Sequence, residues 1–143
     1  MSAVDRTTPP EAGPIRSFDF PAVESRAFEN GLDLRVARMP RLPAVAVNLV
    51  LTAGEAALPH DRAGLAALTG EALEGGTDAR SGAELARALE GIGARLGAST
   101  GWDATTVSLS CLADRLDEAM ALLAEVVRRP SFPEDEVERS RDQ

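Results

Sequence analysis

The pattern of apolar and polar positions along the chain predicts a succession of short strands and amphipathic helices. Alternating apolar residues mark the strands, and apolar residues that recur every three or four positions mark the helices. The predicted strands are residues 23–28, 32–36, 44–52, 94–100 and 104–112. The predicted helices lie within residues 63–77, 81–92 and 114–128, and a last one begins near residue 134. This order favours an α+β fold, with a mostly antiparallel sheet and helices packed on one face.

Turn and cap residues refine these elements. Asn30-Gly31 predicts a hairpin between the first two strands, because both positions tolerate a positive φ. Residues 44–52 carry apolar side chains on one face and partly on the other, which predicts a central strand. Ser81 and Glu84 have the spacing of a capping box at the start of a helix.

The central predicted helix lies within residues 63–77. Its apolar stripe consists of four residues at helical spacing, namely Leu65, Leu68, Ala72 and Leu73. The opposite side carries two small residues and two acids, namely Ala67, Gly70, Glu71 and Glu74. Asp61 is a candidate N-cap, and Gly75-Gly76 ends the helix because glycine adopts left-handed dihedrals at little steric cost. The sequence therefore predicts an amphipathic helix with a face of small residues.

Composition and charge narrow the classes of function. The 143-residue chain has a net charge of −8, which argues against nucleic acid and anionic membranes as partners. One cysteine and one histidine exclude an internal disulfide and an ordinary His/Cys zinc site. No apolar run reaches the length of a membrane span and no signal pattern opens the chain, so a cytoplasmic location is expected. Residues 1–21, with four prolines, are expected to form a flexible lead-in to one domain over residues 22–143.

A few single residues have both a chemical and a structural interpretation. His60 is either a metal ligand or a solvated loop residue, and we favour the loop residue because no second ligand lies at a suitable spacing. Cys111 is either a reactive thiol or a buried structural residue, and its place on an apolar face favours burial. Trp102 is either a ligand anchor or a cap on the sheet edge, and we favour the cap. The acids at 134–136 are interpreted as first-turn charges of a helix rather than as metal ligands.

The stretch 63–77 resembles the zinc-binding helix of the insulinase/pitrilysin family of metallopeptidases, which includes the mitochondrial processing peptidases. In active members Gly-x-Ala leads into His-x-x-Glu-His, and Gly-Thr follows five residues after the second His. Gly64-Leu65-Ala66 and Gly76-Thr77 stand at these flanking positions. Ala67, Gly70 and Glu71 stand where active members have His, Glu and His. The resemblance therefore implies a member that lacks the catalytic motif and binds no metal by it.

Other stretches extend the resemblance over residues 22–143. Residues 28–32 are similar to the family's opening Asn-Gly-Leu segment, and residues 89–100 to its Leu-Glu-x-Ile-Gly-x-x-Leu-x-Ala pattern. Residues 136–141 are similar to a Glu-Arg-Glu-Arg segment, with Ser140 where active relatives carry a glutamate that supports the zinc ligands. Their third zinc ligand would fall beyond Gln143. The resemblance thus implies a layered insulinase-type domain that is incomplete at its C-terminus.

The resemblance also implies a function. The expected role is a non-catalytic subunit that binds a peptide substrate at a sheet edge and pairs with a zinc-bearing peptidase chain. Zinc is expected only in that partner, and no cofactor is expected in this chain. Because a helix cut at Gln143 leaves apolar surface, self-association as a dimer is also expected. The alternatives are an interaction or structural domain, or a nonfunctional remnant, with no peptidase role. An active peptidase by itself conflicts with Ala67, Gly70 and Glu71.

Overall fold

The computed structural model describes residues 13–15 and 17–141, and it has the predicted α+β composition. The strands are β1 (Val23–Ala27), β2 (Asp33–Ala37), β3 (Ala44–Leu51), β4 (Arg95–Thr100) and β5 (Thr105–Leu112). The helices are α1 (Leu65–Ala72), α2 (Gly82–Gly91), α3 (Leu116–Arg128) and α4 (Glu134–Arg141). Short 3₁₀ turns lie at Glu55–Ala57, His60–Arg62, Leu73–Gly75 and Ala113–Arg115. Within the described residues, no helix has the length and apolar character needed to cross a bilayer.

The chain forms two compact units, one ending at Arg41 and one beginning at Leu42. The first unit contains the predicted hairpin of β1 and β2, in which Val23 pairs with Ala37. Gly31 has a φ of 84°, which explains why the turn needs glycine. Residues 1–12 and 16 of the predicted lead-in lie outside the described residues, and the others up to residue 21 form no helix or strand. The lead-in and the domain boundary at residue 22 stay predictions.

The second unit is built on an antiparallel three-stranded sheet with the order β3-β5-β4. Ala44 pairs with Leu112 across β3 and β5, and Thr100 pairs with Thr105 across β4 and β5. The structure therefore places β5 at the centre of this sheet, and the prediction that residues 44–52 form its central strand is wrong. Apolar and polar side chains alternate in β3 and in β5 alike. The pattern therefore does not reveal which of the two strands pairs with a neighbour on both sides.

The core lies on one face of the sheet, under α2 and α3. The strand face toward the helices is fully buried at Val107 and Leu109, whereas Ser108 and Ser110 on the other face are exposed. The helices contribute mainly Leu85, Leu89, Ala119, Leu122, Leu123 and Val126. Helices on one face of an antiparallel sheet agree with the predicted architecture.

Two of the single-residue interpretations are resolved by burial. Cys111 is buried in the core, and this desolvation raises the pKa of its thiol, as does the nearby charge of Asp114. A thiol held protonated in this way is a structural residue, as predicted. The prediction that Trp102 caps the sheet edge is wrong, because its side chain is 72% exposed in the β4–β5 turn.

Candidate functional site

Helix α1 holds the positions that resemble the catalytic motif, and its N-terminus is fixed by a residue distant in sequence. Gly64 precedes the helix with a φ of 89°. The carboxylate of Glu55 accepts hydrogen bonds from the backbone N–H groups of Gly64 (2.9 Å) and Ala67 (2.8 Å). The first backbone N–H groups of a helix have no acceptor within the helix, and the Glu55 carboxylate supplies one for two of them. Asp61 lies instead in a 3₁₀ turn, so its prediction as the N-cap is wrong.

Glu55 is itself held in place by the β4–β5 turn. Its backbone N–H donates to the carbonyl oxygen of Gly101 (3.2 Å), and that of Ala56 donates to Trp102 (2.9 Å). The preceding residue, Gly54, is buried against the same turn, where a Cβ atom would overlap backbone atoms. Because Gly54 has no side chain, its backbone approaches the β4–β5 turn closely, and this approach positions the Glu55 carboxylate at the N-terminus of α1.

The small-residue face of α1 packs against the sheet. Gly70 is buried, and a Cβ atom added there would collide with Oγ1 of Thr100. Ala67 is half-buried, whereas Leu65 of the predicted apolar stripe is 42% exposed. The prediction that Leu65 belongs to the buried face is therefore wrong, although Ala72 and Leu73 of the same stripe are buried. Small side chains let α1 approach the sheet more closely than leucine would allow.

A pair of threonine hydroxyls fills the space beside Gly70. Oγ1 of Thr105 donates to the carbonyl oxygen of Ala53 (2.7 Å), and Oγ1 of Thr100 donates to that of Ala66 (3.2 Å). The two hydroxyl oxygens are 3.0 Å apart. Only two hydroxyl protons are available for these three short contacts. The contacts join α1, β4, β5 and the loop after β3. Sequence reasoning missed this pair, because threonine is common in strands and carries no local signal of such a contact.

Glu71, at the position of the motif's second histidine, is exposed and lines an open groove between α1 and α4. The groove has a volume of about 320 Å³, and Glu136, Arg139 and Ser140 of α4 also line it. Ser140, which stands where active relatives carry a glutamate that supports the zinc ligands, lies in the same groove as Glu71. Arg139 forms an ion pair with Glu136 in that groove.

These residues do not fit a catalytic zinc ion. Ala67 and Gly70 offer no donor atom, and a zinc site needs three protein ligands beside its open position. Among the described residues, no group of three His, Cys, Asp or Glu side chains is arranged to hold a metal ion. His60 lies exposed in a 3₁₀ turn, and Glu134 and Asp135 are exposed in the first turn of α4. Both placements agree with the structural interpretations of these residues.

The Gly76-Thr77 pair after the motif helix is anchored to α3 through Thr77. Thr77 is only 5% exposed, and its hydroxyl donates to Oε1 of Glu125 (2.5 Å) and accepts from the N–H of Arg80 (3.0 Å). The Arg80 guanidinium donates to the other oxygen of Glu125. The hydrogen bonds from Thr77 and Arg80 lower the pKa of Glu125. The flanking pair therefore has a structural role that is independent of catalysis.

The Glu125 network predicts how stability depends on pH. A carboxyl group with a lowered pKa in the folded state stabilises the protein above its unfolded pKa of about 4.5, and this contribution is lost as the pH falls through the folded pKa. Glu125→Gln is expected to reduce the free energy of unfolding by about 1–2 kcal/mol at pH 7. The difference from the parent should shrink below pH 4.5 in urea unfolding measured across this range.

Glu118→Gln is the matched control, because Glu118 also pairs with an arginine but is 56% exposed. Its effect should stay within about 0.5 kcal/mol at all pH values. A Glu125→Gln effect that is equally large at pH 7 and below the folded pKa would show that the ionised carboxylate is not what stabilises the fold.

The chain matches the sequence profile of a protein family described as Insulinase (Peptidase family M16) over residues 36–143. Two relatives named as uncharacterized zinc proteases, from Rickettsia bellii and Rickettsia felis, are 27% and 26% identical to the chain over 110 residues. In each case the match covers 77% of this chain and 27% of the relative. The chain therefore spans about a quarter of the length of these relatives.

Two solved structures have a similar fold. The peptidase M16 inactive domain from Pseudomonas fluorescens is 29% identical, with a TM-score of 0.80 over 85% of this chain and 30% of that one. A protease from Helicobacter pylori is 23% identical, with a TM-score of 0.75 over 85% of this chain and 29% of that one. The second likeness bears on the fold alone.

Proposed function

Because the chain belongs to the insulinase family of peptidases, family M16, we propose that it is a non-catalytic domain of that family. In this role it binds an extended peptide and works beside a zinc-bearing chain. The observation that carries the proposal is the packing of the motif positions. Ala67 and Gly70 supply no ligand, and the hydroxyl of Thr100 takes the space beside Gly70. The likeness to the Pseudomonas fluorescens domain, which is described as inactive, supports the same conclusion.

The outer edge of β4 is the proposed peptide-binding element. Strand β4 pairs with β5 on one side, and α1 and the following 3₁₀ turn lie beside it. An unpaired strand edge binds an extended peptide through backbone hydrogen bonds, while alternate side chains meet adjacent pockets.

Exposed apolar surface at the start of α1 supports the proposed pairing with another chain. Leu65 and Leu68 line an open pocket of about 470 Å³, together with Arg62, Ala63 and Gly64. Leu65 is 42% exposed and lies beside Leu68. Exposed apolar surface of this kind is typical of a site that contacts a partner chain. A zinc-bearing chain of the same family is the proposed occupant, and a second copy of this chain is the simplest substitute.

Metal analysis tests the non-catalytic role. The dialysed chain is expected to contain far less than one zinc per molecule by elemental analysis. The variant that restores the motif, with Ala67→His, Gly70→Glu and Glu71→His, is expected to remain without zinc and without peptidase activity. It adds two imidazole ligands where three protein ligands are needed, and the new side chain at position 70 collides with Thr100.

One zinc per parent chain would overturn the non-catalytic assignment. Peptidase activity of the restored variant alone, with zinc bound, would show that the missing side chains are the whole difference from an active member. Circular dichroism of the restored variant checks that it folds, since a variant that has lost its helices is not a test of metal binding.

Association is tested with the chain alone and with a zinc-bearing family member encoded by a neighbouring reading frame. Alone, the chain is expected to show a mass above 15.0 kDa in light scattering at high concentration, and to dissociate across a hundredfold dilution. With the zinc-bearing chain it is expected to co-purify, and peptidase activity should depend on both. A mass of 15.0 kDa at every concentration would contradict self-association, and separate elution of the two chains would contradict the pairing.

A further inference from the structure

Glu74 lies directly against the backbone of strand β4. It belongs to the 3₁₀ turn Leu73–Gly75 that follows α1, and its Oε1 accepts a hydrogen bond from the N–H of Ala98 (3.3 Å). The same oxygen would be 3.9 Å from a Cβ atom at Gly97. Because Ala98 donates to a group outside the sheet, its N–H points to the outer edge of β4. The carboxylate therefore occupies the edge at which a further strand would pair.

Glu74 is an exposed residue whose carboxylate is partly desolvated where it meets β4. Burial raises the pKa of Glu74, and the hydrogen bond from Ala98 opposes that shift only in part. Among residues 13–15 and 17–141, no ion pair to Glu74 is formed. Glu71, Glu136 and Arg139 line the same groove as Glu74, and Arg139 is engaged by Glu136. The carboxylate is thus held at the strand by one backbone donor.

We propose that Glu74 controls access to the β4 edge by occupying the place of the carbonyl oxygen of an added strand. This inference rests on the proposed function, because it assumes that the edge binds an extended peptide. A peptide then binds by displacing the carboxylate from Ala98 and donating its own carbonyl oxygen as the acceptor. Gly97, which has no side chain, leaves room for a second backbone to approach. The displaced carboxylate regains water, which offsets part of the loss of its hydrogen bond.

The two other acids that lie near α1, Glu71 and Glu55, do not provide this control. Glu71 lines the same groove, but among the described residues no N–H of β4 donates a hydrogen bond to its carboxylate. Glu55 is committed to the start of α1. Glu74 is therefore the acid whose removal should open the edge, and Glu71 is a matched control on the same helical segment.

Amide hydrogen exchange of the full chain, followed by NMR, tests the contact itself. In Glu74→Ala the amide of Ala98 is expected to exchange about tenfold faster than in the parent, because it has lost a charged acceptor. The amide of Val107 in the central strand should be unchanged, and its protection also shows that the variant is folded. Glu74→Gln should give an intermediate rate, since a neutral amide oxygen is a weaker acceptor. Unchanged exchange at Ala98 in Glu74→Ala would overturn the inference.

Peptide binding tests the control of access. The probe is a fluorescein-labelled extended peptide of alternating serine and valine, titrated by fluorescence anisotropy. Glu74→Ala is expected to bind it about tenfold more tightly than the parent, and Glu71→Ala with the parent's affinity. Equal or weaker binding by Glu74→Ala, with measurable binding by the parent, overturns the inference and leaves the proposed function standing. No binding by the parent or by either variant overturns the peptide-binding function, and the inference with it.

Discussion

Replacing Gly54 with alanine is expected to lower the free energy of unfolding by about 3 kcal/mol. A Cβ atom at Gly54 would lie 2.6 Å from the amide nitrogen of Ala104 and 2.7 Å from the carbonyl carbon of Asp103. Both are backbone atoms of the β4–β5 turn, and backbone does not move aside as the end of a side chain does. The turn or the loop after β3 must shift, and either shift disturbs the hydrogen bonds of Glu55 and Ala56 to that turn.

The effect should extend to the helix that carries the motif positions. Glu55 follows Gly54 directly and provides the acceptor for the first N–H groups of α1. Gly91→Ala is the matched control, because Gly91 lies in α2 and a Cβ atom there meets nothing within 4 Å. Alanine should be neutral at Gly91 or stabilising by up to about 1 kcal/mol. Urea unfolding of both variants measures the contrast, and a Gly54→Ala variant as stable as the parent would mean that the close approach does not exist in solution.

Replacing Gly70 with leucine is expected to destabilise the protein by about 3 kcal/mol. Gly70 is buried at the point where α1 meets β4, and its side chain would enter the space of the Thr100 hydroxyl. That hydroxyl is within hydrogen-bonding distance of Ala66 and Thr105, so it has no free position to move to. Leucine would therefore push α1 away from the sheet and open the packed face.

A double-mutant cycle identifies the cause. Thr100→Ala in the Gly70→Leu background should restore part of the lost stability, giving a coupling energy of about 1 kcal/mol. Gly91→Leu, at an open glycine, is the control for adding the same side chain to a helix. If Gly70→Leu unfolds at the same urea concentration as the parent, the motif face is open to solvent, and the proposed non-catalytic role loses its structural support.

Local patterns in the sequence were sufficient for most of the secondary structure. The capping box of Ser81 and Glu84 forms as predicted, since both partners lie within one helical turn. The hairpin at Asn30-Gly31 and the strand at Thr105–Leu112 also follow from short-range chemistry and alternation. Periodicity is less precise about which residues of a helix are buried: in α3, Leu122 is buried while Met120 is 40% exposed. A helical stripe fixes a face only to within about one residue, and neighbouring elements settle the rest.

The candidate site depended more on contacts between distant parts of the chain. The replacement of the motif by Ala67, Gly70 and Glu71 is visible in the sequence alone. The cap from Glu55 spans nine and twelve residues, and the contact of Glu74 with Ala98 spans 24. Side-chain periodicity carries no information about such pairs, because each depends on how two elements approach each other.

The sequence by itself determined the type of each element, the residues at the positions that resemble the motif, and the resemblance to a peptidase family. These follow from residue identity and from spacing within a few turns. The tertiary structure alone decided that β5 is the central strand of its sheet, that the small face of α1 is packed, and that Glu74 accepts a hydrogen bond from β4. The physical reason is that burial, close packing and edge pairing are set by the neighbours of an element, and those neighbours are brought together only when the chain folds.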